Sequence, residues 1–157
     1  MNALMITIER TEGESSGKPG VGPREQLHPT VKNSPLRVLV VDDEALIRWS
    51  VAETLTDLGL EVEQAVDAAS ALAAIAAAPQ FDVIVLDLRL PDMKDLTLLS
   101  TIRQRLPQVP VVLMTAFGTP EIVAQARALG VTDILSKPFE LGELSRAVLA
   151  AGDTAVS

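Results

Sequence analysis

The 157-residue chain has no cysteine and a single histidine. Disulfides, thiolate nucleophiles and cysteine-ligated metals are therefore excluded. His28 stands in a stretch without apolar periodicity, so a Ser-His-Asp arrangement inside a folded domain is disfavoured. Positive charge is also scarce: 13 Lys and Arg against 21 Asp and Glu leave a net charge of −8. Residues 1–35 hold four charges of each sign and cancel, so the remainder carries 17 acidic against nine basic groups. Nucleic-acid binding leaves a basic footprint, and none is visible, which argues against direct contact with DNA or RNA. No apolar run is long enough to cross a bilayer, and the start lacks the basic, apolar and small-residue order of a signal peptide. These absences predict a soluble, cytoplasmic protein with no membrane partner. No internal repeat is visible.

The length allows one domain of ordinary size. Between Thr11 and Pro35, Gly, Pro, Ser and charge dominate, and residues 1–35 are expected to form a flexible N-terminal tail. Met1 to Ile8 is more apolar than the rest of that tail. From Leu36 the chain alternates between strand and helix signals five times. Leu36 to Val41 is a continuous apolar run broken only by Arg37, as suits a strand covered on both faces. Leu46, Ile47, Ser50, Val51, Thr54, Leu55 and Leu58 make a helical stripe ended by Gly59. Leu60 to Val66 alternates like a strand near an edge, Ala68 to Ala78 is helical, and Phe81 to Leu86 is a second buried strand. Leu96, Leu99, Ile102 and Leu106 form the next stripe. Val109 to Met114 is a third buried strand, and the Pro120 helix stops at Gly130. Asp133 to Leu135 is a short strand, followed by a helix anchored by Leu141, Leu144 and Val148. Strands joined by helix-length crossovers predict an α/β, doubly wound, five-stranded parallel sheet over residues 36–151. A short C-terminal tail is expected over 152–157.

Asp42 and Asp43 close the first strand run, Asp87 closes the second buried one, and Lys137-Pro138 follows the last. In neighbouring parallel strands these residues meet at the carboxyl edge, where open α/β sheets hold their ligands. Such a cluster fits a metal and a phosphoryl group. Taken singly, each has a plainer reading: Asp42-Asp43-Glu44 as a helix cap, Lys137 as a loop lysine, Thr115 as a strand-end hydroxyl. Asp87 resists this, because an acid ending a buried strand loses hydration that something must replace. A flavodoxin-like cofactor-binding domain is the competitor from another class. It would need a Gly/Ser/Thr-rich phosphate loop after the first strand, where three acids stand.

The strings LRVLVVDDE, VIVLDLRLPDM, VVLMTAFG and DILSKPF, in that order and spacing, resemble the receiver (CheY-like) domain of two-component response regulators from Leu36 to about Ala150. LIRWS and TAFG resemble the nitrogen-regulator (NtrC-like) branch. The resemblance implies the flavodoxin-like strand order 2-1-3-4-5. It also implies Mg²⁺ held by Asp43 and Asp87 directly, by Asp42 through water and by the backbone carbonyl of Arg89. An all-oxygen donor set suits that ion. Asp87 would attack phosphorus and become an aspartyl phosphate. Lys137 and the metal would neutralise the transferring oxygens, and Thr115 would donate its hydroxyl to them. A cis peptide before Pro138 is a further family trait.

Two positions depart from the family. Asp95 replaces a common glycine in the loop after Asp87, and Ile134 stands where the family carries an aromatic switch residue. The expected function is a single-domain response regulator, not an enzyme beyond its own phosphorylation and dephosphorylation. It is phosphorylated by a histidine kinase or histidine phosphotransfer protein and signals to a downstream output protein. The partner surface is expected on the Pro120 helix, the Asp133 strand and the Leu141 helix, and a phosphorylation-dependent homodimer is a further expectation. The alternative within the family is an interaction module that works without phosphorylation.

Overall fold

Continuous apolar runs make strands only where both faces are covered, and that condition sets the architecture here. In the computed structural model, which describes residues 34–77 and 80–156, five parallel strands form one sheet in the order β2-β1-β3-β4-β5. They are β1 (Arg37–Val41), β2 (Glu61–Ala65), β3 (Val83–Asp87), β4 (Val111–Thr115) and β5 (Asp133–Ser136). The helices are α1 (Ala45–Asp57), α2 (Ala68–Ala77), α3 (Thr97–Arg105), α4 (Pro120–Ala128) and α5 (Leu141–Val156). The tail expected over residues 1–35 lies, as far as residue 33, outside the described residues.

Side chains alternate along each inner strand and feed two cores. Leu39, Val41, Ile84, Leu86 and Leu113 face α2, α3 and α4 through Ala71, Ile75, Leu98, Ile102 and Ala126. Val38, Val40, Val83, Val85 and Met114 face α1 and α5 through Val51, Leu55, Leu144 and Val148. β3 and β4 are buried at every position. β2, at the sheet edge, has Glu61 and Gln64 exposed and only Ala65 buried, so the alternation expected from its sequence is not matched by its burial.

Helix α1 corrects the predicted stripe. Its buried residues are Val51, Ala52 and Leu55, whereas Leu46 and Leu58 are exposed. Val51 and Leu55 of the predicted stripe pack into the core with β1 and β3, and the first and last leucines fall off the contact face. Gly59, at φ 92°, ends the helix, with its N–H donating to the Thr56 carbonyl at 2.9 Å. Thr119 caps α4, its side chain accepting from the Ile122 N–H at 3.2 Å. Gly130, at φ 83°, turns the chain toward β5.

Helix α5 corrects the boundary at 151. It continues through Val156, so the short tail expected over 152–157 is mostly helix. Gly152 does not break it. A Cβ at that position would fall 2.5 Å from Leu36 Cδ1, so the missing side chain lets the last turns of α5 lie against the residue that precedes β1.

Candidate functional site

The parallel register brings four strand ends to one edge. Val41 pairs with Leu86, Asp87 with Met114, and Thr115 with Ser136. The residues that close or follow those strands are therefore neighbours: Asp42 after β1, Asp87 ending β3, Thr115 ending β4 and Lys137 after β5. Asp42 and Thr115 are fully buried, and Asp87 is nearly so. The Lys137 N–H donates to the Thr115 carbonyl at 2.8 Å, which fixes where the lysine leaves the sheet. The Lys137–Pro138 peptide is cis.

Lys137 Nζ donates to Asp42 Oδ2 at 2.9 Å, to Glu44 Oε1 at 2.9 Å and to Asp87 Oδ2 at 3.2 Å. Carboxylate oxygens of Asp42, Asp43 and Asp87 lie within 4.8 Å of one another. Burial, and then the charge of Asp42, push the Asp87 carboxyl up from 3.8 to about 6, against the opposing pull of Lys137 and the Arg89 N–H. For Lys137, burial favours loss of the proton, but the hydrogen bonds to Asp42 and Glu44 and the charges of Asp87 and Asp42 overcome it and hold the ammonium above the ordinary lysine range. One lysine thus compensates Asp87 only in part. Three carboxylates offering oxygen alone, with a surplus of negative charge, fit a hard divalent cation such as Mg²⁺.

The loop following β3 frames the site. The Arg89 N–H donates to Asp87 Oδ1 at 3.2 Å, and its guanidinium carbon lies 5.1 Å from the centroid of the exposed Phe117 ring. Phe117 follows β4, and its N–H donates to Thr115 Oγ1 at 3.0 Å. Gly118 is tight against the same threonine, since a Cβ there would be 3.1 Å from Thr115 Cγ2. Farther along, Asp92 accepts from the N–H groups of Ala68 and Ala69 at 2.9 and 3.0 Å, capping α2 from another part of the chain. Asp95 Oδ1 accepts from the Thr97 N–H at 2.9 Å, at the start of α3.

Of the residues singled out in the sequence, Asp42, Asp43, Asp87 and Lys137 come together directly, with Thr115 at the end of the adjacent strand and Arg89 joined through its backbone. Three contacts were not foreseen: the grip of Glu44 on Lys137, the capping by Asp92 and the Arg89–Phe117 stack. Glu44 is part of the acidic triplet read as a helix cap. In the fold it is Asp42 whose Oδ1 accepts from the Glu44 N–H, at 2.8 Å, while the Glu44 side chain makes no capping bond.

Residues 38–149 match the family described as the response regulator receiver domain. The chain belongs to that family. Among curated relatives, the receiver is 39% identical over 115 residues to the response regulator protein PilR of Pseudomonas aeruginosa, covering 73% of this chain and 26% of PilR. It is also 39% identical over 106 residues to the DNA-binding transcriptional regulator NtrC of Escherichia coli, covering 68% of this chain and 22% of NtrC. The chain thus spans about a quarter of the length of these relatives. A CheY-like receiver domain protein from Methanospirillum hungatei superposes with a TM-score of 0.74 at 28% identity, covering 78% of this chain and 97% of that one. NtrX from Brucella abortus, in complex with ADP, does so with a TM-score of 0.69 at 37% identity, covering 77% and 27%. Phosphoryl acceptance is the general function of receivers, which bind Mg²⁺ at an acidic pocket and interact with histidine kinases and output domains. Among the described residues, no helix is long and apolar enough to cross a membrane.

Proposed function

We propose that this receiver takes a phosphoryl group onto the Asp87 carboxylate from the phosphohistidine of a histidine kinase or histidine phosphotransfer protein, in the cytoplasm, and passes the change to a downstream output protein. The observation that carries this reading is the contact of Lys137 Nζ with both Asp42 and Asp87, beside a third carboxylate, at the carboxyl edge of the sheet. A carboxylate oxygen of Asp87 forms the bond to phosphorus as the phosphorus–nitrogen bond breaks. The electron pair leaves with the imidazole. Lys137, already at the Asp87 oxygen, meets the negative charge of the transferring group, which is where the barrier to phosphoryl transfer is mostly lowered. The Thr115 oxygen accepts from the Phe117 N–H, so its own proton is directed elsewhere and serves a phosphoryl oxygen.

Asp42, Asp43, Asp87 and the Arg89 carbonyl would hold Mg²⁺, which supplies further neutralisation of the same oxygens. Acceptance and loss of this one group is all the chemistry in the reading, with no second substrate turned over. The output partner meets the face of α4, β5 and α5, where Leu141 is part-exposed. A second copy of the chain is the other occupant of that face, and it is recognised by a mass that doubles on phosphorylation.

Incubation with Mg²⁺ and a small phosphodonor should add one phosphoryl group, located on Asp87 by mass spectrometry. Asp87→Asn should remain folded and unlabelled. Equal labelling of the folded variant would overturn the assignment.

A further inference from the structure

Glu44 is the carboxylate of this edge that stands outside the cation cluster, which comprises Asp42, Asp43 and Asp87. It precedes α1, is largely exposed and makes no capping bond with its side chain. Its carboxylate instead takes one of the three ammonium protons of Lys137, at 2.9 Å. Asp42 and Asp87 take the other two, and the bond to Asp87 is the longest of the three. A phosphorylated Asp87 presents more oxygens and more negative charge than the carboxylate it replaces. Lys137 can meet it fully only by giving up another partner.

Asp42 is a poor choice to be given up. It is fully buried, its Oδ1 holds the Glu44 N–H, and its carbonyl accepts from Arg48. Glu44 lies at the solvent side and is readily rehydrated when released. We infer that Glu44 is a positioning residue that competes with the phosphoryl group for the Lys137 ammonium, holding it toward the mouth of the site and lowering the affinity of Asp87 for that group. This rests on the reading of Asp87 as the phosphoryl acceptor.

Loss of any negative charge near the site would also favour an anion, so the test separates contact from general field. The probe is beryllofluoride with Mg²⁺, titrated into the full chain by calorimetry. Glu44→Gln should bind it about three- to fivefold more tightly than the parent, the scale of an ion pair with one exposed partner. The gain should persist at high salt, where a long-range field effect is screened to within a few ångströms. In a Lys137→Met background it should vanish. Without metal, the Lys137 side-chain nitrogen resonance should shift and exchange faster with water in Glu44→Gln. That measurement needs only a surface substitution, and so stands even if Lys137→Met does not fold. Unchanged affinity in Glu44→Gln, a gain erased by salt, or an unmoved Lys137 resonance each overturns the inference. A parent protein that binds no beryllofluoride while the Lys137 resonance still responds to Glu44→Gln would instead refute Asp87 as acceptor.

Discussion

Asp87 is held in the folded chain at an energetic cost. Its carboxyl titrates near 6 instead of 3.8, first because it is buried and then because Asp42 is close. Between those values the folded state keeps a proton that the unfolded state has lost, so this group destabilises the fold as pH rises through the window. Asp87→Asn should therefore stabilise the metal-free protein at pH 7, by on the order of 1–3 kcal/mol. The advantage should shrink toward zero near pH 4 and be reduced at neutral pH by saturating Mg²⁺. Urea denaturation of the two proteins at both pH values checks this, and a constant gap would show that relief of burial is not the cause. The main residues of the site were legible because a strand-end position follows from strand register alone. Asp42, Asp87 and Lys137 needed nothing but parallel neighbours to meet. Glu44 and Phe117 were not legible, since their contacts depend on how the segments after β1 and β4 fold back over the edge. Such turns leave no periodic signal.

Among the elements, the inner strands were the clearest in sequence, because cover on both faces removes the need for polar residues. Helix α1 was the least accurate in detail. Leucines at both ends extended its predicted stripe, yet Leu46 is 73% exposed, while the contact is made by Val51 and Leu55. The end of α5 was missed because Gly152 acts by closeness to Leu36, which composition cannot convey. Where glycine acts through backbone angle, the sequence was a sound guide. Gly130→Ala, forced to keep φ near 83°, should cost about 1–2 kcal/mol from the left-handed conformation alone. The same replacement at Gly142, whose added Cβ would approach nothing closer than 3.6 Å, should not destabilise. Chemical denaturation of both variants provides the comparison.

For the molecule as a whole, the question is how a change at Asp87 reaches a distant surface. Ile134 pairs with Leu113 in the β4–β5 ladder and packs half-buried against the core shared with α2, α3 and α4. It is β-branched and stiff about χ1, with no ring to swing. Binding of beryllofluoride and Mg²⁺ should therefore move backbone resonances from Phe117 through α4, because Thr115 bonds directly to the segment that leads there. The Ile134 methyl signals should keep their rotamer averaging. A large methyl change with a silent α4 would reverse that order of transmission.

The cap that Asp92 places on α2 also bears on how the chain is made. Ala68 and Asp92 are 24 residues apart, an interval of about one to five seconds at ordinary rates of synthesis. Through that pause two of the leading amides of the alanine-rich segment lack the acceptor they have in the finished fold. Completion of the cap coincides with arrival of the loop that follows Asp87. The cap on α2 is therefore completed only after β3 has been made, while α3, β4 and α5, which cover β3 or pair with it, are still to be added.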